Sequence, residues 1–258
     1  LDYLLVDETS GNPPDPEDKD SINSAYKLSI ESTTINQNYT QQILSKKRKD
    51  FDEENPFFDE DDAEEGEEPA AIGYRYRCFH LGDSIRLVAR TELHGIAKRR
   101  GKDSYITSFA LNEWQSTTGW RKKLDRQKGG VFGVEAKNNS FKIGKVVIQS
   151  ILSGAENIKF GYVSRTNFKD RSSHQILGEQ YVKPSVVARL IALNIKNMWA
   201  IMRHIIEVSM KQPEGKYLLV RDPNKPILRM YKLPAGTFDD TSSEEEEEEE
   251  SSEGEDDE

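Results

Sequence analysis

The sequence predicts a mixed α/β domain flanked by segments that cannot pack, and three observations predict it. Apolar runs of strand length recur at 72–81, 85–93, 105–111, 158–163 and 174–183. Helical spacing of apolar residues fills 33–44, 141–152 and 185–211. Two strings, Asp50–Glu68 and Asp239–Glu258, hold 12 and 14 acidic residues with no Lys or Arg in either. A chain of 258 residues with 35% hydrophobic content supplies one sizeable core alongside such segments. The expected organisation is a folded part over 1–238, interrupted by a loop at 7–24 and an acidic insertion at 50–68, then an acidic tail over 239–258.

Net charge misleads about the folded part. The formal charge is -10, but the two acidic strings account for 26 of the 46 Asp and Glu. The remaining body sets 36 Lys and Arg against 20 acidic residues, a basic surface suited to a polyanion and flanked by strings able to compete for it. The single cysteine, Cys78, excludes an internal disulfide, and no apolar run reaches membrane-spanning length. These features predict a cytosolic protein with no membrane partner. Because the chain opens at Leu1 inside a strand-like run without Met, it is expected to be the C-terminal part of a longer protein.

In order, Leu1–Val6 is strand-like, and 7–24 reads as a long loop through Pro13, Pro14 and Pro16. Its acids, Asp7, Glu8, Asp15, Glu17, Asp18 and Asp20, would repel phosphates if held over a basic cleft. Ala25–Ile30 looks extended. Thr33–Leu44 is a polar helix with Ile35, Tyr39 and Ile43 on its core face, and with Thr33, Asn36, Gln37, Thr40 and Gln41 opposite. Uncharged amides and hydroxyls at that density suit hydrogen bonds to bases and riboses. After the acidic insertion come two strands turning at Gly82-Asp83, a basic tip from Lys98 to Lys102, a third strand at 105–111, and a Trp- and Lys-rich segment to Lys128.

Val131, Phe132 and Val134 read as a short strand after Gly129-Gly130, ending in Glu135-Ala136-Lys137. Two residues apart on a strand, Glu135 and Lys137 would share a face and could both reach a phosphate or metal. Asn138-Asn139-Ser140 turns into a helix with Ile143, Val146, Val147, Ile151 and Leu152 on one side, closed by Gly154. Strands at 158–163 and 174–183 follow, then one long core helix from Ser185 to Lys211 opened by Pro184, and a terminal hairpin of 216–221 with 227–233. The tail offers nothing to bury. Its Ser242, Ser243, Ser251 and Ser252 precede acids, the pattern of acidophilic phosphorylation. The sequence holds neither a Gly-rich phosphate loop nor a Cys/His metal cluster, and no cofactor is expected.

The phrases LVDETSGNPP, ESTTINQNYTQQ, GYRYR, HLGDSIRLVARTELHG, LNEW, VEAKNNSFK, SGAENIKFGYVSR, EGKYLLVRDPNK and MYKLPAGTF before a poly-acidic end resemble, in this order, the D-subunit family of eukaryotic translation initiation factor 3. The resemblance implies a cup-shaped mixed α/β domain, related to the decapping exoribonucleases, that binds the 5′ cap of messenger RNA. It implies as partners the other subunits of that factor, the small ribosomal subunit and capped mRNA. It places Thr33, Asn36 and Gln37 beside the cap and makes 7–24 a gate for RNA.

In the related exoribonucleases, acidic strand motifs and a helical Gln surround divalent metals. The resemblance aligns Gly73–Arg77 with the first motif, with Arg77 in place of the acid. It aligns Glu92-Leu93-His94 with the second, with His94 in place of Asp, and Glu135 and Lys137 with the third, followed by Gln149 on the helix. Exchanging two acids for Arg and His removes hard oxygen ligands and inserts a fixed cation, so the resemblance implies no metal, no catalysis, and an RNA path along Arg77, Glu135, Lys137 and Gln149. A metal-dependent decapping exoribonuclease and a pure scaffold stay open as alternatives.

Overall fold

The computed structural model describes residues 22–49, 51, 71–99, 101–222 and 224–237. The strand expected at Leu1–Val6, the loop acids from Asp7 to Asp20, nearly all of the acidic insertion and the tail with its four serines lie outside the described residues. Within them the chain forms two compact units, dividing after Ala200. No single helix among the described residues is long and apolar enough to cross a membrane.

The larger unit is built on a four-stranded sheet of order β3-β4-β5-β6: β3 Gly95–Arg99, β4 Lys102–Glu113, β5 Asn157–Arg165 and β6 His174–Val182. β4 and β5 are parallel, with Phe109 opposite Phe160, and the other pairs are antiparallel. Every residue of β5 is buried, as expected of a central strand covered on both faces. One face carries α1, Ala25–Gln42, whose Ile35 and Tyr39 pack on Ala110 and Val163. The other carries α2, Trp120–Asn138, and α3, Ser140–Ser153, with α4, Pro184–Leu190, against them. There Leu124, Phe132, Val147 and Val187 close over Leu111, Phe160 and Tyr162. The period-2 alternation of β4 and β5 feeds both cores at once.

α1 starts earlier than the sequence spacing implies. Ser24 caps it, its hydroxyl accepting from the Lys27 N–H at 3.4 Å, so Ala25–Ile30 is helical rather than extended. The expected strand at 131–134 is also corrected. These residues lie in α2, where Leu124, Val131, Phe132 and Ala136 turn inward while Val134 is 57% exposed, which is helical phase. Gly129 and Gly130 do not break the helix. The irregularity falls at Gln127, with φ -133°. α3 ends as expected at Gly154 in the left-handed region, φ 69°.

A separate antiparallel pair, β1 Gly73–Gly82 and β2 Ile85–Leu93, has strictly alternating exposure on β1. Its inner residues Arg75 and Arg77 reach the end of α3, and Phe79 meets Trp199 with ring centroids 5.1 Å apart. Of the basic tip expected after Gly95, Lys98 and Arg99 end β3 and Lys102 opens β4, while Arg100 lies outside the described residues. The expected single helix 185–211 is two, α4 and α5, Ile195–Met210, broken at 191–194 where Ala192 takes φ 52°. In the smaller unit, β7 Tyr217–Arg221 and β8 Leu228–Lys232 form the expected hairpin.

Candidate functional site

The candidate residues fall on three elements: α1, the edge of β4 facing it, and the α2–α3 layer. β3 pairs with β4 only as far as Ile106, which leaves the N–H groups of Ser108 and Ala110 without a strand partner. Side chains take its place. His94 Nδ1 accepts from the Ser108 N–H at 2.9 Å, and Asn36 Oδ1 accepts from the Ala110 N–H at 2.9 Å. Burial holds the His94 pKa below its ordinary value, against opposing contributions from Ser108 and Glu92, which keeps the ring neutral and able to accept.

Asn36 thus belongs to the scaffold that positions α1, half-buried against the sheet, while Thr33 and Gln37 stand exposed on the outer side. Thr33 Oγ1 donates to the Ser29 carbonyl at 2.9 Å, leaving its lone pairs outward. Thr40, expected on the outer side, is buried and back-bonded to the Asn36 carbonyl. The exposed stripe on this helix runs instead through Tyr26, Ile30, Thr33, Gln37 and Gln41, at spacings of three and four. Reading 25–30 as extended hides Tyr26 and Ile30, which are 54% and 45% exposed. The Ser24 cap is the local signal that brings them into phase.

Beneath α1 lies a buried ionic cluster. Arg165, fully buried on β5, donates from Nε to Glu31 Oε1 at 2.8 Å and pairs again through Nη2, while His174 Nε2 donates to Glu31 Oε1 at 2.8 Å. Arg165 also donates to Asn23 Oδ1 at 2.8 Å and to the Phe168 carbonyl at 3.2 Å, so it fastens the chain entering α1. Burial alone would raise the Glu31 pKa. Hydrogen bonds from Arg165 and His174 and the Arg165 charge outweigh it and hold the carboxyl below its usual range. None of these three residues is recognisable from sequence, because the pairing spans 134 and 143 positions.

The expected RNA floor is not assembled as one surface. Arg77 Nη1 donates to the carbonyls of Ile151 and Leu152 at 3.0 and 2.7 Å, and Arg75 Nη1 to that of Ser153 at 2.8 Å. Two cations thereby cap the negative end of α3. On a helix Glu135 and Lys137 project about 200° apart, so the shared face expected of a strand does not exist. Lys137 and Gln149 are exposed, and Glu135 is half-buried, accepting from Asn139 Nδ2 at 3.1 Å. Burial and the nearby Glu113 push the Glu135 pKa up.

Glu113, buried at the end of β4, accepts from the Trp120 N–H at 2.7 Å and so caps α2. Its other oxygen, the Tyr162 hydroxyl and Gln180 Nε2 are buried without hydrogen-bond partners among the described residues. At the positions expected from the resemblance to replace metal ligands, the side chains present do not fit a divalent metal. Arg77 is a cation directed at carbonyls, His94 Nδ1 is already an acceptor for Ser108, and Glu135 stands on a helix in another layer.

The family model described as Eukaryotic translation initiation factor 3 subunit 7 (eIF-3) matches residues 1–232. The D subunit of eukaryotic translation initiation factor 3 from Aedes aegypti is 45% identical over 248 residues, 93% of this chain and 39% of that protein. The D-2 subunit of the same factor from Drosophila grimshawi is 43% identical over 248 residues, 93% of this chain and 43% of that protein. The chain thus spans less than half the length of these relatives. Among solved structures, Scheffersomyces stipitis Rai1 in complex with (3'-NADP)+ and calcium ion overlaps 64% of this chain and 40% of its own, at 13% identity and a TM-score of 0.38.

Proposed function

Because the chain belongs to the eukaryotic translation initiation factor 3 subunit 7 family, we propose that it is a non-enzymatic subunit of that factor, holding the 5′ cap of messenger RNA against the outer stripe of α1. The observation that carries this reading is that stripe. Thr33, Gln37 and Gln41 offer uncharged donors and acceptors in a row, and Tyr26 adds an exposed ring two turns before Thr33. A methylated guanine is cationic and is held by stacking on an aromatic face, while its edge and ribose are met by amides and hydroxyls. Asn36 serves the same site from below by fixing the helix to β4.

Sister subunits and the small ribosomal subunit are the partners of this cytoplasmic role. The basic body favours them, since ribosomal and messenger RNA are polyanions. A non-enzymatic role is supported by the side chains aligned with missing metal ligands. Arg77 and His94 are committed to main-chain groups and offer no oxygen to a metal.

The test is crosslinking of the protein, assembled in its complex, to RNA labelled at the cap, with and without excess cap analogue, first in chelator and then in manganese. Crosslinking abolished by the analogue, with RNA intact in manganese, is the expected result. Label lost only when metal is added would replace the reading with an exoribonuclease. Crosslinking indifferent to the analogue would replace it with a scaffold.

A further inference from the structure

The outer face of the β1–β2 pair is used by nothing described so far. Its inner face is occupied, with Arg75 and Arg77 on the end of α3 and Phe79 on Trp199. Outward, the alternation presents Tyr74, Tyr76, Cys78 and His80 on β1, and Arg86, Val88, Arg90 and Glu92 on β2, all exposed. The register sets Tyr74 opposite Glu92, Tyr76 opposite Arg90, Cys78 opposite Val88 and His80 opposite Arg86. Tyr74 is 51% exposed and Tyr76 57%, and the Arg90 guanidinium lies over the Tyr74 ring, 5.0 Å from its centre, so a base stacking there takes the place of Arg90 or stacks on it.

We infer that this face is a stacking platform for unpaired bases of single-stranded RNA. Exposed tyrosines at alternate positions leave rings about 6.8 Å apart along the strand, within reach of neighbouring nucleotides of an extended chain. Stacking on such rings is tolerant of sequence because every base has a π-face, and cations beside the rings meet the phosphates. Arg90 and Arg86 supply those cations along β2. Glu92 repels phosphate at one end, so the backbone runs from Tyr74 toward the Arg86 and His80 end.

A protein partner reading the same face would need a continuous apolar patch, and Val88 is its only aliphatic residue. The inference rests on the reading that the protein holds messenger RNA, but it concerns the body of the message and a different element from the α1 stripe.

Cys78 is the single cysteine of the chain and lies exposed in the middle of the platform, so an environment-sensitive fluorophore attached there reports occupancy. The full chain so labelled is titrated with an uncapped ten-nucleotide oligouridine. A saturable signal, competed by unlabelled oligouridine and untouched by cap analogue, is expected. Tyr74→Thr with Tyr76→Thr keeps strand-forming residues at exposed positions, and should weaken binding at least about 10-fold with an unchanged melting temperature. Arg86→Gln with Arg90→Gln should reduce the slope of log affinity against log salt by about 1.4.

With the chain unlabelled, oligouridine carrying 4-thiouridine should photocrosslink at Tyr74 or Tyr76. Crosslinks confined to other elements, or affinity indifferent to both double variants, would overturn the inference. So would a Cys78 signal that changes on removing residues 50–68 but not on adding RNA, which would give the face to the chain's own acidic insertion. Cap-analogue-sensitive crosslinking that survives Tyr74→Thr with Tyr76→Thr separates failure of the platform from failure of the cap reading.

Discussion

His94 and Asn36 act as a side-chain continuation of strand β3. They accept from the Ser108 and Ala110 N–H groups of β4 at the positions a longer strand would occupy. Both residues stand at places where resemblance implies RNA or metal chemistry, and both have a main-chain partner that an edge strand cannot leave unmet at low cost.

Asn36 and Gln37 should therefore separate under mutation. Asn36→Ala leaves the Ala110 N–H unpaired and should cost about 1–3 kcal/mol in chemical denaturation. Gln37→Ala, on the exposed side, should leave stability within about 0.5 kcal/mol while reducing cap crosslinking. Equal stability loss in the two variants would contradict the assignment of faces.

Tyr39 and Gly161 are in closer contact than any larger residue permits. A Cβ at Gly161 would lie 2.3 Å from the Tyr39 ring, whose hydroxyl donates to Glu179 at 3.1 Å. Gly161→Ala should destabilise by about 1–3 kcal/mol through overpacking. In a double-mutant cycle, Tyr39→Leu should absorb part of that cost. Additive effects would show that the ring does not rest on Gly161.

Removing Arg165 should be severe, since Arg165→Met leaves the buried Glu31 carboxylate with His174 as its remaining partner in the cluster, and breaking a buried pair typically costs about 3–5 kcal/mol. The pH dependence has a defined sign. The folded pKa of Glu31 lies below its unfolded value, so its contribution is complete above the ordinary carboxyl value near 4.5 and disappears as pH falls through the lower folded value. The stability difference between wild type and Glu31→Gln, measured by denaturation across pH 3–5, should shrink as pH falls below about 4.

Glu135 should behave in the opposite way. Burial and Glu113 raise its pKa, so the unfolded chain ionises first and stability is lost as pH rises through that window. Glu135→Gln should stabilise the protein at pH 7 and make little difference below pH 4. Destabilisation at pH 7 would mean that the carboxylate has a partner that favours its charge.

Much of this fold was legible because its signals are local. The alternation of 73–82 and 85–93, the apolar run of 157–165, and the 143-146-147-151 spacing closed by Gly154 each carry their own period. Legibility failed where a short apolar run fitted both periods. Val131, Phe132 and Val134 behind two glycines read as a strand, and only packing against Phe160 and Leu111 shows that Val134 turns outward while Ala136 turns in. It failed again at 191–194, where a continuous apolar stripe conceals a break.

By itself the sequence determined the family, the basic body with acidic strings, and the existence of most elements, because composition and periodicity need no knowledge of neighbours. Only the tertiary structure decided which polar residues are available. Gln37 stays exposed on an outer stripe that also takes in Tyr26 and Thr33, whose hydroxyl donates only within its own helix, whereas Asn36, His94 and Arg77 answer main-chain groups on β4 and α3. The physical reason is that hydrogen-bonding capacity is shared between chain and ligand. Which side uses it depends on edges and helix ends brought together across many tens of residues.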